Sequence, residues 1–290
     1  MDLWDRSVKW DTYIRPMKGW FNLNLKELIK YRDLIFLLVK RNFKIFYMQT
    51  ILGPAWVVIQ PLITTLVFTV IFGGIAKLPT DGMPSFLFYM AGNICWQYFS
   101  SCLTNTSNTF ISNRKIFGKV YFPRLVMPIS TVMTQFITFL VQFVLFLGFL
   151  VFYATRPGTA VKPDISLILF TPLVILQMAL LGLGFGIIIS ALTTKYRDLN
   201  MFLGFSVHLW MYATPIAYSA RLITDSHPFI AKFYMLNPMT PMIEMFRSAY
   251  LGVETGDMLY YWISVGTTLA VLALGVMLFT RIERTFMDTV

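Results

Sequence analysis

The stretch IFYMQTILGPAWVVIQPLITTLVFTVIFGGIA, Ile45–Ala76, contains no Asp, Glu, Lys or Arg. An α-helix needs roughly 20 such residues to cross the hydrocarbon of a bilayer, so this run predicts a membrane span. Gly53-Pro54 suits the first turn of that span, where proline costs no hydrogen bond. Pro61 is different, because it lies well inside the run. It removes an N–H and frees a carbonyl one turn earlier, near Val57. Gln60 beside it is expected to turn into protein, or into an internal tunnel, to satisfy polar groups.

The same pattern recurs along the chain. Charge-free runs cover Gly82 to Asn113, Leu125 to Thr155, Ile165 to Thr194, Leu199 to Ala220 and Met258 to Thr280. The 290 residues are 57% hydrophobic and 13% charged, with mean hydropathy +0.65. Soluble domains carry about 25% charged residues, so the balance belongs to a membrane protein. Only helices or closed barrels hide the backbone in lipid, and runs this long are helical. The expected fold is all-α and polytopic, with six spans at about 54–75, 86–108, 126–153, 166–193, 199–220 and 259–280.

Most of the 24 Lys and Arg residues fall on one side of that arrangement. Positive residues favour the cytoplasm, so both termini are expected there. The net charge of +10 is read as a topology and lipid-headgroup signal; no soluble basic domain is present to bind nucleic acid. The first 44 residues lack the uninterrupted apolar core of a cleaved signal, and none is expected. Residues 1–46 are read as a cytoplasmic segment and 47–290 as the membrane domain. Within the former, Leu25, Leu28, Ile29, Ile35, Val39, Phe43 and Phe46 share one helical face opposite Lys26, Lys30, Asp33, Lys40 and Lys44. That is the pattern of an amphipathic helix lying at the membrane surface.

Two connecting segments stand out. Residues 113–123 mix Arg114, Lys115 and Lys119 with Ile116, Phe117 and Tyr121 around Gly118, as a docking element would. Arg221 to Asp257 is divided by Pro228, Pro238 and Pro241 into pieces too short to cross. Two short re-entrant helices are expected between about 229 and 251, with Glu244 and Arg247 spaced to pair on one face. Gly182, Gly186 and Ser190 form a small-residue stripe for close helix packing; Gly184 is read as widening the same flexible region without adding chemistry.

Several chemistries lack their residues. No G-x-x-x-x-G-K-[ST] occurs, so ATP hydrolysis by a P-loop is not expected of this chain. The spans hold no Asp, Glu, Lys or Arg for an ion relay. His208 and His227 are too few for a histidine-based metal site, and no metal or catalytic residue is assigned. Cys95 and Cys102 lie about 10 Å apart on one helix, too far for a disulfide. Asp225, Glu244, Glu254 and Asp257 keep a membrane-embedded glycan-modifying enzyme open, and a passive channel or scaffold is a further alternative. Aromatic residues make up 17% of the chain. Tyr89, Asn93, Trp96, Gln97 and Tyr98, with Trp210, Tyr212 and Tyr218, form polar-aromatic clusters whose rings offer an apolar face and a polar edge. Of these, Tyr89, Asn93, Trp96, Tyr98, Trp210 and Tyr212, together with Gln60, are the candidate tunnel lining.

KRNFKIFYMQTILGPAWVVIQPL, Lys40 to Leu62, looks like the pattern R-(D/N)-x-K-x-x-Y-x-Q-T-x-L-G-x-x-W-x-x-x-Q-P-L. KVYFPRLVMPIS (Lys119 to Ser130), KYRDLN (Lys195 to Asn200), ATPIAYS (Ala213 to Ser219) and NPMTPMIEMFRSAYLG (Asn237 to Gly252) follow in order. From about Leu25 onward the chain resembles the membrane subunit of type-2 ABC exporters of polysaccharides, especially O-antigen exporter permeases. Teichoic-acid and capsule exporters are related alternatives. Asn42 stands where the family commonly has Asp.

The resemblance implies a homodimeric permease in a bacterial inner membrane, with two ATP-binding subunits that supply ATP and Mg binding. It implies that a lipid-linked polysaccharide passes between protomers. Residues 113–123 would be the coupling helix, Leu25 to Phe46 the interface helix, and the 229–251 pieces a gate containing Glu244 and Arg247.

Overall fold

A computed structural model describes residues 25–48, 52–113, 116, 122–157, 161–193, 198–226, 228–254 and 256–285. Every element among the described residues is helical. Two helices form the N-terminal arm, α1 Leu25–Lys30 and α2 Arg32–Met48. A single 3-10 turn at Gly53–Ala55 leads into α3, Trp56–Phe68, which runs on as a π-helix over Thr69–Ile75. Next come α4 Ser85–Ser107, α5 Thr109–Ser112 and α6 Val126–Ala154. The short α7 Ile165–Ile168 precedes α8 Thr171–Thr193. The last five are α9 Leu199–Tyr212, α10 Ala220–Ser226, α11 Pro228–Met235, α12 Met239–Leu251 and α13 Met258–Thr285.

Among the described residues, four helical stretches are long and apolar enough to cross a membrane: Gly53–Ile75, Val126–Ala154, Ile165–Thr193 and Met258–Thr280. The segments of the other two expected spans fall outside that set. α4 has the length of a span but is rich in Asn, Gln, Ser and Thr. α9 stops at Tyr212, short of the expected 220, because Pro215 lacks an N–H and disfavours helical geometry at Thr214.

α4 is the hub. Leu87, Phe88, Tyr89, Met90, Ala91, Ile94, Cys95 and Phe99 are wholly buried, between α8, α6, α3 and α12. Its closest neighbour is α8. A Cβ on Gly182 would lie 2.7 Å from Cys102 Cβ, and one on Gly186 would lie 2.5 Å from Thr106 Cβ. Glycine at both positions lets the two backbones meet, and dispersion replaces the hydrophobic driving force that lipid cannot supply. Gly184 points the other way: a Cβ there would meet Leu272 of α13, and Gly275 of α13 packs on the Gly184 carbonyl. It is a second close approach rather than a widening of the first.

On α2 the buried side chains are Ile35, Leu38 and Val39, which pack with Phe122, Val126 and Met127 at the start of α6. Ile29, expected on that face, is 68% exposed, as are most of Phe36, Leu37 and Ile45. The arm therefore carries two apolar surfaces, one covered by α6 and one open. α12, with 13 residues, spans only about 20 Å. It is buried almost throughout by α4, α7, α8 and α13. Its C-terminus is closed by Gly252 at φ +77, where the absent Cβ leaves room for the Lys162 carbonyl. Lys162 N donates to Leu251 O (3.2 Å) and Asp164 N to Ala249 O (3.0 Å). Asp164 in turn caps α7 by accepting from Ser166 N at 2.9 Å.

Candidate functional site

Where α3, α4, α5 and α6 diverge they enclose a cavity of about 370 Å³ that also reaches Asn42 of α2. This lies within the ~300–1,000 Å³ of ordinary ligand sites. Apart from Trp56 and Val57, every lining side chain is Asn, Gln, Ser or Thr. The polar faces follow from helix periodicity. On α4, Gln97, Ser101 and Asn105 recur every four residues; on α6, Thr131, Thr134, Gln135, Thr138 and Gln142 recur at intervals of three or four. Several of the lining groups bond back within their own helices or to each other. Asn105 Nδ2 donates to Ser101 O (2.9 Å), Thr131 Oγ1 to Met127 O (3.1 Å), and the Thr109 and Thr131 hydroxyls lie 3.4 Å apart.

The Gln60, Gln97 and Gln135 amides make no side-chain hydrogen bond within the described residues. Each offers donors and acceptors to an occupant. Trp56 adds a ring face that is 41% exposed. No titratable side chain among the described residues lines the cavity. At its rim the Arg41 guanidinium donates to Asn42 Oδ1 (2.9 Å) and Asn113 Oδ1 (3.1 Å). Such a surface can hold a hydroxyl-rich neutral molecule; it holds no group for acid–base or metal chemistry.

Of the sequence-expected tunnel residues, Gln60 opens on this cavity. Tyr89 is fully buried among Phe68, Phe72 and Phe88. Its hydroxyl and Asn93 Nδ2 are buried with no partner among the described residues. Trp96 and Tyr98 are buried too, Trp96 against Phe99 and Trp210, Tyr98 against Phe139 at 4.8 Å. Trp210 is half-buried and its Nε1 donates to Asn237 Oδ1 (2.9 Å), while Tyr212 is exposed. Sequence reasoning weighed the aromatic residues and, apart from Gln60, Asn93 and Gln97, passed over the amide and hydroxyl faces of α4 and α6. Their three-to-four-residue spacing inside charge-free runs was the available signal.

Ile116 packs on the Ile35–Val39 cluster of α2. The other expected docking residues, Arg114, Lys115, Phe117, Gly118, Lys119 and Tyr121, lie outside the described residues.

At the other end of the bundle, the expected Glu244–Arg247 pair is not formed. Arg247 is 3% exposed, and its guanidinium donates to the carbonyls of Pro215, Ile216 (2.9 Å) and Phe88 (3.3 Å). It also lies 3.6 Å from the centre of the Phe88 ring, within cation–π range. The carbonyls of the non-helical 213–219 segment need donors, and that demand outweighs an ion pair on α12's own face. Asn237 completes the support by donating to Ala213 O and Thr214 Oγ1, each at 3.0 Å.

Glu244 instead faces a second cavity of about 370 Å³ together with Arg221, Lys232, Glu254 and Asp257. Burial raises its carboxyl from 4.5 to about 7, against the opposing pull of Arg247. Burial likewise lowers Arg247 to about 10. Arg221 pairs with Glu254 at the rim.

A family profile for ABC-2 type transporters matches residues 33–251. An O-antigen export system permease protein RfbA of Klebsiella pneumoniae is 30% identical over 233 residues, 79% of this chain and 85% of that protein. A second of the same name and organism is 28% identical over 258 residues, covering 88% of this chain and 94% of the relative. One from Myxococcus xanthus is 28% identical over 228 residues, covering 78% and 83%. With the profile spanning most of the sequence and several apolar helices long enough to cross a bilayer, the chain is a multi-pass membrane protein that belongs to the ABC-2 type transporter family.

Proposed function

We propose that the chain is the permease subunit of an ATP-driven exporter of a lipid-linked, O-antigen-like polysaccharide across a bacterial inner membrane. The cavity between α3, α4 and α6 carries the reading. It offers amides, hydroxyls and one exposed indole at a site without charge. That is the complement of a sugar chain, whose hydroxyls both donate and accept and whose ring faces are apolar. The named relatives, all O-antigen export permeases, support the same substrate class.

The permease works as a homodimer with two ATP-binding subunits, and both termini are cytoplasmic. The polypeptide crosses six times, with the protein-enclosed α4 as the second crossing and α9 as the fifth. α11 and α12 re-enter the outer leaflet as the gate. Residues 113–123 take the ATPase stroke and pass it to α2, through Ile116 and the Arg41–Asn113 hydrogen bond. From α2 it reaches α6.

Gentle extraction is expected to recover an ATP-binding partner, and lipid-linked glycan is expected to stimulate ATP hydrolysis by that complex in liposomes. Recovery of the permease alone, with no nucleotide-hydrolysing partner, would overturn the reading. Phe117→Asp with Tyr121→Asp should abolish ATPase binding while insertion persists; unchanged assembly and export would remove the docking role.

A further inference from the structure

We infer, resting on the export reading above, that this permease is selective for an uncharged glycan backbone and rejects polyanionic chains such as poly(glycerol phosphate) or uronic-acid polymers. The cavity presents Gln60, Gln97, Ser101, Gln135 and Thr138 beside Trp56 and, among the described residues, no Lys, Arg or His. An anionic repeat drawn into it would lose water and gain no counter-charge, and an unpaired buried charge is the most costly polar group to bury. Surfaces that handle phosphate or carboxylate chains do so with Arg and Lys.

The cation that bonds to the lining among the described residues is Arg41, held at the rim by Asn42 and Asn113 rather than among the Gln, Ser and Thr side chains. Arg247 lies at the other end of the bundle, enclosed by three carbonyls and the Phe88 ring. The second cavity does contain Arg221 and Lys232, but with Glu244, Glu254 and Asp257 it is no anion site either. A neutral chain meets no such barrier. Its hydroxyls exchange water for side-chain amides at little net cost.

The test uses the full complex of permease and ATP-binding subunits in proteoliposomes, offered two glycans on the same lipid carrier. One is an uncharged hexose homopolymer, the other a poly(glycerol phosphate). The uncharged chain is expected to stimulate ATP hydrolysis and enter the lumen at least tenfold faster than the polyanion. Gln97→Lys and Thr138→Lys are expected to narrow that ratio by raising the polyanion response. Equal or faster handling of the polyanion by the unaltered complex overturns the inference and leaves the export reading standing. A complex that answers to neither glycan removes the export reading and the inference with it. The comparison on the unaltered complex decides the matter even where a lysine variant fails to fold.

Discussion

Gln142 of α6 donates its side-chain amide to the carbonyl of Val57 in α3, at 3.4 Å. That carbonyl is the one Pro61 leaves without its helical donor, four residues on. Both groups are buried. A neighbouring helix thus supplies the hydrogen bond that the sequence of α3 forgoes. Gln142→Leu should lower stability by about 1–2 kcal/mol, the cost of an unsatisfied buried acceptor. Pro61→Ala restores an N–H at position 61, so the double variant should recover most of that loss. Thermal unfolding of the four proteins in detergent checks this, and simple additivity would show that the contact carries no energy.

Arg247 is the donor for a loop that has no helix of its own. Arg247→Met should leave the Pro215 and Ile216 carbonyls unsatisfied at a cost of about 3 kcal/mol or more. Arg247→Lys should rescue little, because an ammonium cannot reproduce the planar fork that reaches several acceptors at once. Gly92→Ala should weaken the same site, since a Cβ there would lie 2.6 Å from the guanidinium. Limited proteolysis of the 213–219 segment reads all three; a resistant Arg247→Met variant would contradict the assignment.

Glu244 gives a pH dependence with a definite sign. Its carboxyl is raised from 4.5 to about 7, by burial first and by Asp81 in addition, while Arg247 and Arg221 oppose the shift. Between those values the folded protein retains a proton that the unfolded chain has released. Stability should therefore fall as pH rises from about 4.5 to 7 and level off above. Glu244→Gln should remove that slope. Melting curves across this range in both proteins make the comparison, and an unchanged slope in the variant would assign it elsewhere.

Helix contact and open space give opposite outcomes for glycine. Gly186→Val forces a side chain against Thr106 and should cost about 1–3 kcal/mol through overpacking. Gly204, with nothing within 4 Å of a Cβ, should accept alanine with a gain of a few tenths to about 1 kcal/mol from helix propensity. Yield of folded protein and melting temperature distinguish the two. Equal losses would mean that the α4–α8 approach is not what the glycines protect.

Much of the helical framework was legible because charge-free length is a one-dimensional property. The runs around Leu125–Thr155 and Ile165–Thr194 needed no tertiary knowledge to become α6 and α8. Two prolines divided the outcome. Pro61 leaves α3 intact because Gln142 stands opposite, while Pro215 ends α9, and the sequence does not say which proline will have a donor nearby. Periodicity also places Tyr89, Trp96 and Tyr98 on α4 without saying whether their neighbours are lumen or protein; the structure surrounds them with Phe68, Phe72, Phe99, Phe139 and Trp210. The cavity was spelled out in the polar spacing of α4 and α6. Its assembly, however, depends on three helices separated by many residues. The expected Glu244–Arg247 contact was a sound local rule overruled by carbonyls from another part of the chain.

The two hydrogen bonds from Lys162 and Asp164 to the end of α12 have a mechanical consequence. Both run between main-chain atoms, so they form a short antiparallel splice between α12 and the strap that leads into α7. Tension along α12 is delivered through that splice to the first turn of α7, and from there to the crossing segment that follows. Because the linkage is made of backbone, it is indifferent to side-chain identity at Lys162, Ala249 or Leu251. Proline at 162 or 164, which removes a donor, would unhitch it, as would a side chain at Gly252 that pushes the Lys162 carbonyl away.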